Sequence, residues 1–454
     1  MIRRLYTQLA GPGFGAIFAR VVAGSALAQA TGMGLALLVG MLLARALGAH
    51  GLGIYSLSMS LVAVLGIPTE FGLPTYLMRE VAAAHVRHDW TRLRSVVAWC
   101  TRAILVSSIV VTVVAGGILT VGTGAISSEL SLTVLAALPL VLLVALTKAR
   151  EATLQGMNLQ PLAQVPMLVG RPGAFLVCAA FFVFVLGYAL APAQAMLLHS
   201  LAMLLVAGGI TLLYRSQTAG RFVETEPLQS INPAEALRAA FPMAMTEGLR
   251  VLNGHVAVFL LGMLATPTAV GLFKVADAIC ILCALPMFAL NNAVGPQIAR
   301  LHAAGDIARL RSLVSYVALS MAAGSVTMAL PVVFFGTDIL GLLFGRGFDG
   351  AQGPMIVLCA GYAICSLLGP SLAFMNLTGR EQTVTRSLGV SFLANLIFGA
   401  VAVTFAGATG AALANVVGYL LWNGWLWREA KRQAGVDTSL LPAAHEMIAR
   451  FKAS

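Results

Sequence analysis

Long apolar runs, each about twenty residues or more with hardly a charge, follow one another along nearly all of this 454-residue chain. A helix needs about 20 apolar residues to cross the hydrocarbon layer of a membrane, so the pattern fixes the class before any motif is considered. Apolar residues make up 59% and charged residues 10%, against about 45–50% and about 25% in an ordinary soluble domain. These proportions exclude a soluble enzyme, a disordered chain and a disulfide scaffold. The chain reads as an all-α integral membrane protein.

Breaks at charge clusters and Gly/Pro turns divide it into twelve expected spans, near 18–44, 52–78, 96–121, 131–150, 162–187, 191–214, 238–264, 268–297, 313–336, 353–378, 384–406 and 408–428. The segment "SALAQA" looks like a signal-peptidase site, but the apolar run continues to about Leu43, so it reads as an uncleaved first span. Lys plus Arg total 28 against 17 for Asp plus Glu, a net +11. In a soluble protein such an excess would suggest nucleic acid. Here most of the cations fall at the amino end, in the connections after spans 2, 4, 6, 8 and 10, and in the tail, whereas "GYALAPAQ", "ATPT" and "AGATG" carry none. Cations are retained on the cytoplasmic side, so both termini are expected there. Arg45 and Arg346 fall on the outer side.

The segment Gly53–Pro68 recurs as Gly271–Pro286, and "RLRS" at 92–95 recurs at 309–312. Six spans separate the copies, so each repeat starts on the same side; these are parallel repeats related by an axis along the membrane normal. The expected organisation is an N-terminal six-helix lobe over 1–215, a cytoplasmic linker over 216–237, a C-terminal six-helix lobe over 238–428 with pseudo-two-fold symmetry to the first, and a cytoplasmic tail over 429–454. Duplicated halves of this kind imply alternating access.

A charge at mid-helix in a bilayer costs about 2.5–3.5 kcal/mol on insertion scales, so each one needs a partner or water. Six lie within spans: Glu70, Arg171, Glu247, Arg250, Lys274 and Asp277. Glu247 with Arg250, and Lys274 with Asp277, have i, i+3 spacing and can meet on one helix face. Arg171, preceded by "QVPMLVG" and followed by Pro172, has no carboxylate within a helical turn; its partner is a residue from another helix or an external anion. The functional expectation is a water-filled cavity between lobes in which Arg171, Arg250 and Lys274 face an anionic substrate. The competing expectation is that the two local pairs are structural and Arg171 snorkels to the headgroups. Glu70 lies in "IPTEFGLP", where a helix interruption could expose backbone groups or form a hinge. Gln29, Asn253, His255, Asn291, Asn292 and Asn376 could bond sugar hydroxyls or neighbouring helices.

Cys280 and Cys283 form a C-x-x-C without a second pair, which reads as two buried small side chains. No phosphate loop, H-E-x-x-H, nucleophile elbow or cluster with metal spacing appears. The chain is therefore expected to be no enzyme and to need no cofactor or metal.

The stretch Leu42–Ala82, "LLARALGAHGLGIYSLSMSLVAVLGIPTEFGLPTYLMREVA", resembles the signature of polysaccharide biosynthesis flippases of the Wzx type, in the multidrug/oligosaccharidyl-lipid/polysaccharide (MOP) exporter superfamily. The matching positions are Arg45, Gly53 with Tyr55, Phe71 to Leu73, and Arg79 with Glu80. "LLFGRGFDGA" at 342–351 and "NLTGRE" at 376–381 are similar to later turns of that family. The resemblance implies a MATE-like fold that moves an undecaprenyl-diphosphate-linked oligosaccharide to the outer leaflet, with membrane lipids and a polysaccharide polymerase as further partners. It adds Arg45 to the candidate transport residues. The alternatives are a cation-coupled multidrug antiporter, disfavoured because Arg20 is the only charge of the first run, and a non-transporting scaffold for polysaccharide assembly.

Overall fold

A computed structural model of the chain describes residues 14–121, 127–185, 187, 189–219 and 227–442. The extreme amino end, part of the expected 216–237 linker and the last twelve residues of the expected tail lie outside these. The described residues form α1 (Phe14–Glu70), α2 (Leu73–Val86), α3 (Trp90–Val121), α4 (Ser128–Gly156), α5 (Gln160–Val165), α6 (Arg171–Ala180), α7 (Pro192–Thr218), α8 (Pro233–Leu264), α9 (Pro267–Ala303), α10 (Ile307–Phe334), α11 (Gly336–Phe344), α12 (Gln352–Ser366), α13 (Ser371–Leu377) and α14 (Glu381–Ala434). Single π-helical turns at Pro166–Gly170 and Phe181–Val185 flank α6.

Among the described residues nine helices are long and apolar enough to cross a membrane, or ten if the bent pair Asp349–Ser366 and Ser371–Leu377 forms one span. Two of the nine are too long for one crossing. The apolar part of α1 has 44 residues and α14 has 54, about 66 and 81 Å at 1.5 Å per residue, whereas the hydrocarbon layer is about 30 Å thick. Each is interrupted by a glycine outside helical geometry, Gly48 (φ 67°) and Gly407 (φ 51°), a conformation glycine adopts without a Cβ penalty. Counted at these kinks, with the bent pair as one span, the twelve expected crossings are recovered. At Gly407 the chain doubles back: a Cβ on Gly410 would collide with the Ala402 carbonyl, and Ser391 Oγ donates to Gly418 O at 2.9 Å.

The chain forms two compact units, one comprising the described residues up to Leu47 with Ser58–Val251, the other Gly48–Leu57 with Leu252 onward. The division thus falls within α8, and a short piece of α1 belongs to the second unit. In the first unit, α2, α3 and α4 bury Leu77, Val81, Leu93, Val96, Cys100, Ile104, Ala145 and Ala149 together. In the second, α9 packs on α10 and α12, and the C-x-x-C pair is buried as the sequence implies. It meets a third thiol: Cys280 Sγ is 3.2 Å and Cys283 Sγ 3.6 Å from Cys359 Sγ on α12.

The second unit also brings the two repeat copies together reciprocally. A Cβ on Gly53 would overlap the carbonyl of Pro267, and a Cβ on Gly271 would overlap that of Ala49. Gly53 is the repeat equivalent of Gly271 and Ala49 of Pro267, so this is one contact made twice with the roles exchanged, as in an isologous interface.

The bend between α12 and α13 is 49°, and the segment after α14 holds it. Thr438 Oγ1 donates to Leu368 O at 3.0 Å and lies 2.7 Å from Ser371 Oγ, while Leu440 N donates to Leu367 O at 3.0 Å. Asp437 anchors this strap by accepting from Trp427 Nε1 at 2.8 Å, Ser439 Oγ at 2.7 Å and Lys431 Nζ at 3.1 Å. Burial alone would push the Asp437 carboxyl up; the Ser439, Trp427 and Lys431 donors outweigh it and hold the group down at about 2.

Gly53→Leu and Gly271→Leu should each lower the thermal midpoint in detergent by the equivalent of about 1–3 kcal/mol of overpacking, whereas Gly117→Ala, with open space around its Cβ position, should leave it unchanged. Because the Asp437 pKa is lower in the fold than its ordinary 3.8, its stabilisation is complete above about pH 4 and is lost as pH falls through about 2. Asp437→Asn should lower the midpoint at pH 7 and remove that acid-dependent loss.

Candidate functional site

The first unit contains a charged cavity of about 380 Å³ where α1 breaks into α2. The break is local chemistry: Phe71 (φ 41°) and Gly72 (φ 69°) leave helical geometry, and Pro74 opens the next helix, where its missing N–H costs nothing. Gly72 is needed a second time, because a Cβ there would sit 2.6 Å from both Ala240 O and Ala244 N of α8. The interruption expected around "IPTEFGLP" is present, and it sets Glu70 at the end of α1 facing α4.

Glu70 is 9% exposed, and Lys148 of α4 neutralises it. Lys148 Nζ lies 2.8 Å from Oε1 and 2.9 Å from Oε2, so one ammonium serves both carboxylate oxygens. One turn further along α4, Gln155 Nε2 donates to Glu151 Oε1 at 3.0 Å. On α8, Arg250 Nε donates to Glu247 Oε2 at 2.9 Å, the i, i+3 pair that the sequence spacing predicts. The wall of the cavity therefore carries three carboxylates, two cations, an amide and the Thr75 hydroxyl. Neighbouring glycines let α8 approach: Gly248 faces Ile67, and a Cβ there would lie 3.1 Å from it. This arrangement offers dense donors and acceptors to a polyhydroxylated ligand and holds both charge signs.

The other candidates fall elsewhere. Arg171 lines a second, mostly apolar cavity of about 370 Å³ in the same unit, with Gln29, Met33, Phe175 and His199. Its Nε donates to His199 Nε2 of α7 at 2.9 Å, so its partner comes from another helix, one of the two options the sequence leaves open. Lys274 and Asp277 belong to the second unit and pair at 2.7 Å, with about a third of each side chain exposed. Arg45 is exposed one turn before the Gly48 kink. Asn253 serves packing: its Nδ2 donates to Leu388 O at 3.0 Å, and Ser391 Oγ donates to its Oδ1 at 3.3 Å.

Arg250 shares its cavity with three carboxylates and a lysine, and Arg171 lines a separate one. The i, i+3 spacings within a helix were readable from the sequence, but which faces of different helices meet was not. Sequence reasoning missed Lys148, Glu151 and Gln155, which fall at the end of a span and read as part of a connection. The signal for them was their i, i+3 and i+7 spacing from Lys148, which puts them on one face of α4.

Residues 18–302 match the model of the family described as "Polysaccharide biosynthesis protein". The chain belongs to that family. Comparison with curated protein sequences gives no match. Among solved structures, the chain is similar to an inward-facing multidrug resistance MATE transporter of the MOP superfamily, at 15% identity and a TM-score of 0.74, covering 91% of this chain and 98% of that one. It is similar to the lipid II flippase MurJ in an inward closed conformation, at 14% identity and a TM-score of 0.67, covering 89% and 87%. An outward-facing MATE transporter gives 15% identity, a TM-score of 0.59 and coverage of 91% and 96%. The fold is that of these MATE and MurJ structures, and this family member is a multi-pass membrane protein.

Losing the ammonium would leave a nearly buried carboxylate uncompensated. That costs about 3–5 kcal/mol for a fully buried pair, and less here because Lys148 is one-third exposed. Lys148→Ala should therefore lower the thermal midpoint clearly, and Lys148→Ala combined with Glu70→Gln should recover most of the loss. Additive losses in the double variant would show that the two groups are not coupled.

Proposed function

We propose that this family member translocates a polyprenyl-diphosphate-linked oligosaccharide from the inner to the outer leaflet of the bacterial cytoplasmic membrane for surface polysaccharide biosynthesis. The observation that carries this reading is the cavity at the α1–α2 break. Five ionisable side chains and an amide line a space of about 380 Å³ inside a unit whose helices are mostly apolar. Each charge is costly at membrane depth, and a fold that needed only helix packing could dispense with them. Sugar hydroxyls both donate and accept, so a wall with carboxylates, an ammonium, a guanidinium and an amide can bind them in many orientations. A scaffold would be expected to close such groups on each other without leaving a space.

Membership of the polysaccharide biosynthesis family supports a glycan as the cargo. Alternating access is the mode of movement that duplicated six-helix halves imply. In this reading Glu70 and Lys148 fix the wall at the break, while Glu247, Arg250, Glu151 and Gln155 contact the glycan. Both termini face the cytoplasm, and the lipid tail of the cargo stays in the bilayer.

The test uses the purified full chain in proteoliposomes containing a fluorescent polyprenyl-diphosphate oligosaccharide, with leaflet position read by accessibility to a membrane-impermeant quencher. Wild-type protein should move the label across. Glu247→Gln with Arg250→Gln should slow transfer about tenfold or more while the protein still inserts and keeps its thermal midpoint within a few degrees. Failure of the wild-type protein to move the glycolipid, together with uptake of a small organic cation, would overturn the reading.

A further inference from the structure

The surface of the first unit carries a groove along α3, about 460 Å³ in volume. Two rows of side chains spaced four residues apart flank it. Trp99, Ala103, Ser107 and Val111 form a half-buried row, and Arg102, Val106 and Val110 an exposed one. Such i, i+4 rows are the ridges of a helix surface, with a groove between them. Ala103 and Ser107 are small, which deepens the middle of the groove. The Ser107 hydroxyl is already engaged: its Oγ donates to Thr69 O, on the last turn of α1, at 2.8 Å, and lies 3.0 Å from Ile104 O. The floor is therefore suited to hydrocarbon, and the rim valines, Val106 and Val110, are 61% and 55% exposed.

The charge sits at one end of this apolar track. Arg102 is the last charge before the nineteen residues 103–121, all of them uncharged. At 1.5 Å per residue they cover about 28 Å, close to the hydrocarbon thickness of about 30 Å. The guanidinium thus lies at a headgroup boundary, on the side of the α2–α3 connection, and the valines lie among the acyl chains. Trp99 sits one turn before it, where an indole favours the interface, and packs against the core that α2, α3 and α4 share. Residues 90–128 contain no Asp or Glu. Arg92, on the same helix, is paired with Glu80 at 3.3 Å. Arg102 is exposed and, among the described residues, has no hydrogen-bond or ion-pair partner.

We infer that this groove binds an anionic phospholipid, with its headgroup phosphate on Arg102 and an acyl chain lying over Ala103 and Ser107 between the rows that carry Val110 and Val111. A planar guanidinium matches phosphate oxygens in two-point geometry, and the valine-walled track takes the chain that a free phosphate lacks. A zwitterionic lipid also carries a phosphate, but its ammonium would meet Arg102 and find no carboxylate along α3. A headgroup of net negative charge meets no such conflict. The site is separate from both cavities of the first unit, and it concerns a resident lipid of the bilayer, so it does not depend on the function proposed above.

The experiment places the full chain in phosphatidylcholine vesicles containing a small fraction of phosphatidylglycerol or of phosphatidylcholine that bears a photoactivatable diazirine in its acyl chain, and maps the labelled residues by mass spectrometry. Residues 103–111 of α3 should be labelled about fivefold more by phosphatidylglycerol, the preference that one cation at a membrane surface supplies, and unlabelled phosphatidylglycerol should compete. The exposed face of α7 at Leu204 and Leu205, on a helix without a charge before Arg215, should be labelled equally by both lipids. Arg102→Gln should abolish the preference on α3 and Arg102→Lys should keep most of it. Ala103→Leu, which fills the groove and leaves the guanidinium in place, should reduce labelling of α3 by both lipids. Equal labelling of α3 by the two lipids in the wild type, a preference that survives Arg102→Gln, or the same preference on α7 as on α3 would overturn the inference. An unchanged thermal midpoint in Arg102→Gln separates loss of the site from loss of the fold.

Discussion

The constraint on which the structure depends is that hydrocarbon offers no hydrogen bonds and screens no charge. Backbone groups are satisfied within helices, and irregular backbone is concentrated at a few glycines and prolines. The charged side chains follow the same rule by pairing. Glu70 is covered by Lys148, Glu247 by Arg250 and Asp277 by Lys274. The pairs do not fill the space around them, and at the α1–α2 break the residual volume is a cavity with polar walls.

Within the first unit charge is segregated. One cavity holds acids and bases together, while the other is mostly apolar and is lined by Arg171, whose Nε donates to His199 Nε2. The two environments arise from different backbone devices, a helix interruption at Phe71–Gly72 and a π turn closed on Pro166.

Hydropathy is a property of the chain in one dimension, which is why the twelve crossings were legible, including the two pairs joined through Gly48 and Gly407. The break near Glu70 was marked by its Gly and Pro residues, and the two i, i+3 ion pairs by spacing. The partner of Glu70 was not legible, because Lys148 lies 78 residues away on another helix. The direction of Arg171 was not legible either. Pro166 and Pro172 stood in the sequence as the sign of a disturbed helix, but the sense of the disturbance is decided by packing against Gly32. The strap on the α12–α13 bend depends on polar contacts with residues about 70 positions away, and no periodicity announces it.

The reciprocal glycine contact carries a consequence for how the halves have diverged. Gly53 and Gly271 meet carbonyl oxygens, so the crossing makes no demand on the side chains that follow it. The copy of the pair Lys274 and Asp277 is Ser56 and Met59, and the copy of Glu70 is Phe288. At these positions the two copies keep the same close backbone crossing and differ in which of them carries a charge.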